Sequence, residues 1–180
     1  MNPTFNDILD HVIRSTKENA IEHKQLTPVL FAVGTEQMAM IPILKMPSER
    51  EEKDKMFEQI GHEIANQKEK IGTLQAIIFA TEAWMSTIPK TENILPRPSL
   101  DPKRKEILSI TAIDLHNNIA SEIIYEIKRE KGNKTELTEV MDNRKNPSTI
   151  KNFESPLFIS LMKGYVTVRS QQTSKNKVIN

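Results

Sequence analysis

With 180 residues, no cysteine, and 25 basic against 24 acidic side chains, the chain is long enough for one domain with its own core. It has no means of building a disulfide, a thiolate metal site or a cysteine nucleophile. A formal net charge of +1 supplies no global field toward nucleic acid, membrane or acidic partners, so any such preference must come from a local patch.

The stretch from Met1 to Ser15 lacks the basic and apolar regions of a secretory signal, and no segment approaches the roughly 18 apolar residues of a membrane span. A soluble, cytoplasmic chain is the expectation. Phe5, Ile8, Leu9, Val12, Ile13, Ala20 and Ile21 then recur at helical spacing, with Asp7, Asp10, Arg14, Lys17 and Glu18 opposite them. This predicts an amphipathic helix over 5–23, capped by Thr4 or Asn6. The segment "TPVLFAVGTEQMAMIPIL" reads as two strands, Val29 to Val33 and Gln37 to Leu44, turning at Gly34 and Thr35. Pro42 cannot donate to a ladder, which puts the second strand at a sheet edge or ends it there.

Ser48 with Glu51 has the spacing of a capping box, and Met56, Phe57, Ile60, Ile64 and Ala65 follow as one stripe, predicting a second helix over 49–69. Gly61 falls on that stripe, where a missing side chain lets the helix backbone approach a sheet closely. In "TLQAIIFATEAWMS" both alternating faces are largely apolar, the pattern of a central strand covered on both sides. After a proline-rich connection, "EILSITAIDL" and "IASEIIYEIKRE" form a hairpin across His116, Asn117 and Asn118, where asparagines tolerate positive φ. Lys131, Gly132 and Asn133 turn the chain again into "TELTEVM". Ser155, Pro156 and Gly164 bracket a short helix over 156–163, and a polar, disordered tail is expected over 169–180.

The whole reads as α+β: an antiparallel sheet of five to six strands in hairpins and a meander, two amphipathic helices packed on it, and a short C-terminal helix. Residues 1–141 form the domain and 142–168 an extension.

Chemistry is sparse. The five glycines make no GxGxxG or GxxxxGK[ST] loop, and no GxSxG elbow is present. His11, His23, His62 and His116 form no HxH or HExxH pattern and are expected in solvent, so no metal site and no cofactor are assigned. Glu82, Asp101 and Glu106 are the candidate catalytic carboxylates. Gathered on a divalent cation, with Arg104 facing a phosphate, they would make a small metal-dependent hydrolase or a nuclease-like enzyme. Arg97, Lys103, Arg104 and Lys105 form a basic cluster, which would suit a nucleic-acid backbone. The only aromatic beside it is Trp84, too few for a stacking platform, and solvated loop charges are the simpler reading. Glu82 sits at the end of an apolar face, where a carboxylate survives by pairing, and Arg97 or Arg104 is its expected partner.

Glu82, Ala83 and Trp84, followed by Pro98, Ser99, Pro102, Arg104 and Glu106, resemble a pattern in small uncharacterised prokaryotic proteins: a Glu-Ala-Trp strand end before a Pro-Ser-x-x-Pro-x-Arg-x-Glu stretch. The resemblance covers the middle third of the chain and implies a domain of unknown function, with no activity to transfer. The residues therefore point to a non-catalytic binding or assembly module. Its recognition surface would be the loop over 86–105, with Trp84, Arg97, Lys103 and Arg104 as binding residues and a protein partner or a second copy as the ligand. Prolines there lower the entropy lost on binding.

Overall fold

The computed structural model describes residues 3–23, 25–86, 101–130 and 135–178. The turn expected at 131–133 and most of the proline-rich connection, Arg97 included, lie outside the described residues.

Helix α1 spans Phe5–Glu22 and is opened by Thr4, whose hydroxyl accepts from the Asp7 amide while the Asp7 carboxylate accepts the Thr4 amide N–H at 2.8 Å. This reciprocal box satisfies donors that the helix itself cannot. Strands β1 (Val29–Gly34) and β2 (Met38–Pro42) pair as a hairpin, and β2 ends at Pro42 on the sheet edge. Helix α2 (Arg50–Asn66) and the single turn α3 (Lys68–Ile71) lead into β3 (Leu74–Met85). Strands β4 (Lys105–Asp114), β5 (Ile119–Arg129) and β6 (Thr135–Asp142) continue the sheet. A two-residue β7 (Ser148–Thr149) pairs with β5, and α4 (Pro156–Val178) closes the chain.

The sheet order is β2-β1-β3-β4-β5-β6, and every pairing is antiparallel. This is the α+β architecture that the alternating patterns predict. The β4–β5 turn places Asn118 at φ 58, as its asparagines suggested, and the buried Asp114 carboxylate braces it by accepting from the Asn117 backbone and side chain at 2.9 and 2.6 Å.

Helices cover both faces. On one, Leu9, Val12 and Ile13 of α1 pack on Ile78, Leu108, Ile110, Ile123 and Tyr125. Arg144 fastens this layer by bridging Asp142 of β6 and Asp10 of α1. On the other face, Phe57, Ile60 and Ile64 of α2 and Leu161 of α4 bury Leu30, Ile77 and Phe79, with Phe57 edge-on to Phe79 at 5.4 Å. β3 thus lies between two apolar layers, which explains its unalternating hydrophobicity.

Four expectations are corrected. Ser48 and Glu51 form no capping box, because the helix starts one residue later, with Glu49 at the N-cap and no side-chain cap bond. Gly61 faces a helix and not the sheet: a Cβ there would sit 2.0 Å from the Leu161 carbonyl oxygen, and one on Gly164 would sit 1.9 Å from that of Glu58. Gly164 therefore does not terminate α4. It lets α4 run on to Val178 in close contact with α2, so 169–178 is helical where a disordered tail was expected. His62, expected in solvent, keeps Nε2 buried with no hydrogen-bond partner among the described residues.

Candidate functional site

Strand β3 is longer than its neighbour β1. Its last partner on β1 is Val29, opposite Ala80, yet it continues to Met85 alongside β4. Over 81–85 the β1 side of its backbone has no strand beside it among the described residues. Among the described residues no strand pairs the N–H and C=O groups of this edge, and Gln25 and Leu26 lie beside it.

Glu82 reaches over that edge. Its Oε1 accepts the Leu26 amide N–H at 3.0 Å and the Arg129 Nη2 at 2.8 Å. The same Arg129 nitrogen donates to Glu106 at 3.0 Å, and its Nε to both Glu106 oxygens at 3.2 Å. Hydrogen bonding to Glu106, with Glu82 adding its charge, holds the guanidinium pKa above its ordinary value. The clamp expected of Glu82 exists, but its cation is Arg129 at the end of β5 and not Arg104.

Arg104 instead lies over the Trp84 ring, 4.6 Å from its centroid, a cation–π contact that leaves the indole 45% exposed. Asp101 belongs to the loop base: it accepts from the Ser86 hydroxyl and, at 2.8 Å, from the Lys103 amide. Those bonds, the one from Ser86 first, hold its carboxyl below the usual range.

The structure thus brings Glu82 and Glu106 together around a guanidinium, and it keeps Asp101 in a separate turn. No group of three or more acidic or histidine side chains able to hold a metal occurs among the described residues. The basic cluster is divided too. Lys105 pairs with Glu126 at 2.8 Å, and Lys103 contributes its backbone to the Asp101 turn.

Beside the free edge opens a cleft of about 750 Å³, floored by Phe79 and Ala83 and walled by Trp84, Lys53, Asp54 and Leu157. Its far side is built by α2 and α4. Ser160 bonds Asp54, Lys163 bonds Glu58, and Gly61 meets Leu161 and Tyr165, so the two helices run parallel and both N-terminal ends border the cleft. Inward of it, sharing Phe79, Thr81, Ala83 and Leu157, lies a cavity of about 220 Å³ that continues under α4 along β4.

Two features escaped the sequence reading. Arg129 is 47 residues from Glu82, but it carries a readable signal, since it extends the apolar alternation of Tyr125 and Ile127 with one charge, as Glu82 does for Ile78 and Ala80. Ser109 and Thr111 carry another, being polar between Ile107 and Ile113 on one strand face.

No described helix is long and apolar enough to cross a membrane. Comparison with protein-family models, curated proteins and solved structures finds no match for this chain.

Proposed function

We propose that the chain is a non-catalytic, intracellular binding module that takes an extended segment of a partner protein along the free edge of β3. The observation that carries this reading is the run of β3 beyond its β1 partner, beside a cleft of suitable size. Added strands gain main-chain hydrogen bonds from such an edge and specificity from pockets beside it. Trp84, half exposed under Arg104, is the apolar anchor, and tryptophan and arginine are the residues most enriched where binding energy concentrates. Lys53 on the cleft wall favours a segment carrying a carboxylate. The Pro-rich loop contributes through its described ends, Ser86 and 101–104, which frame the site.

The acidic residues support this reading over a hydrolytic one. A carboxylate engaged by Arg129 is not available to a divalent cation, and Glu82 and Glu106 are both so engaged.

The test is selection from a displayed library of random peptides, followed by titration of the enriched sequences. Peptides with an aromatic or aliphatic anchor and an acidic residue are expected to bind, to lose affinity at least tenfold against Trp84→Ala, and to lose it when alternate peptide amides are N-methylated. No enrichment, or indifference to both changes, overturns the reading.

A further inference from the structure

The cavity beneath α4 is apolar except for its hydroxyls. Phe57, Ile77, Phe79, Ile107 and Leu161 supply most of its wall, and Thr81, Ser109, Thr111 and Ser155 interrupt it. Two of these hydroxyls are accounted for. Thr81 donates to the Glu82 carbonyl at 2.9 Å, and Ser155 accepts from the Phe158 amide at 3.5 Å at the start of α4. Ser109 and Thr111 form no side-chain hydrogen bond among the described residues. They occupy the same face of one strand, with Ile107 before them and Ile113 after, and both are half-buried. Their cross-strand neighbours are Thr81 and Phe79 on β3, and Ile124 and Glu122 on β5. The Ser109 and Thr111 hydroxyls stay within reach of solvent, so they are placed to bond the polar group of a ligand, as the few polar groups of a mostly apolar pocket do.

The geometry points to a second binding site in this cavity, for a small neutral amphiphile whose apolar body fills the space between β3, β4 and α4 and whose hydroxyl or carbonyl bonds Ser109 and Thr111. An aliphatic-lined cavity of about 150 Å³ accepts benzene, so about 220 Å³ suits a body larger than one ring. A carboxylate head is disfavoured, because Glu122 neighbours Thr111 and burial already pushes its own carboxyl pKa up. The site does not depend on peptide recognition at Trp84, which lines the outer cleft and not this cavity.

The experiment is fluorescence titration of the full chain with 2-naphthol, naphthalene and 2-naphthoate. Saturable binding is expected in the order 2-naphthol, naphthalene, 2-naphthoate. The near-isosteric pair Ser109→Ala with Thr111→Val should weaken 2-naphthol about tenfold and leave naphthalene unchanged. Ser109→Leu, which puts an alkyl branch into the space, should abolish both at an unaltered melting temperature, while Trp84→Ala should leave 2-naphthol binding intact. Failure of every probe to saturate overturns the site. So does equal binding of 2-naphthol by the Ser109→Ala, Thr111→Val variant, or tighter binding of 2-naphthoate than of 2-naphthol.

Discussion

Arg129 does for one end of the sheet what a backbone ladder does elsewhere. Two carboxylates and a loop amide, from β3, β4 and the connection after α1, converge on its guanidinium and on Glu82. Both acidic side chains are mostly shielded, Glu82 at 13% and Glu106 at 25% exposure. Truncating the cation leaves two like charges together with no counter-ion, and removing one partner of such a bond costs about 1–3 kcal/mol. Arg129→Ala should lose that much stability in urea unfolding. Glu82→Ala, which also strands the Leu26 amide, should lose a similar amount, and Glu82→Gln less, since its amide oxygen still accepts. An unchanged midpoint for Glu82→Ala would show that the clamp is idle. Glu122 behaves in the opposite sense. Burial raises its folded pKa above the ordinary 4.5, so the folded state binds its proton more tightly than the unfolded chain. Stability from this group is full below that value and is lost as pH rises through the raised folded pKa. Glu122→Gln should therefore raise the melting temperature at neutral pH, with the gain vanishing near pH 4. A gain that persists in acid would assign the effect to packing.

Among the elements, α2 and α4 pack backbone against backbone. Each places a glycine where the other's backbone passes, Gly61 against Leu161 and Gly164 against Glu58. Alanine in place of a mid-helix glycine ordinarily stabilises by about 1 kcal/mol. Here a Cβ would overlap a carbonyl that cannot rotate aside, and overpacking of this kind costs about 1–3 kcal/mol. Gly61→Ala and Gly164→Ala should each destabilise the protein in chemical denaturation, and a stabilised Gly164→Ala would refute the close crossing. The same pair shows where the sequence is legible. Helix and strand periodicities give nearly every element, because period and amphipathicity are local. Gly164 reads as a stop signal from its neighbours alone, and only the opposing helix, 106 residues away at the Ser160 to Asp54 bond, turns it into a contact point. The Ser48 and Glu51 spacing misleads for a related reason: α2 begins with Glu49 at the N-cap, so Ser48 stands one residue outside the position from which a side chain caps the first turn.

On the scale of the whole molecule, the site lies where the layers end out of step. β1 pairs with β3 as far as Ala80, and β3 continues past it with β4 to Met85. Composition, alternation and turn residues determine the layers, so the α+β class can be read without coordinates. Strand lengths relative to one another cannot, since the excess of β3 over β1 depends on pairing register between segments far apart in the chain. That is also why Glu82 was identifiable as a residue in need of a partner while the partner itself was not.

The parallel run of α2 and α4 has a consequence for how the protein comes into being. Asp54 meets Ser160 across 106 residues, so during synthesis at about 5–20 residues per second the apolar stripe of Phe57, Ile60 and Ile64 emerges about 5–20 s before the helix that covers it. α1, by contrast, has its bed of β3 to β6 and its Arg144 bridge complete while α4 is still to be made. One face of the sheet is thus finished early. The other waits on the last helix, and in that interval the nascent chain displays the surface that chaperones recognise.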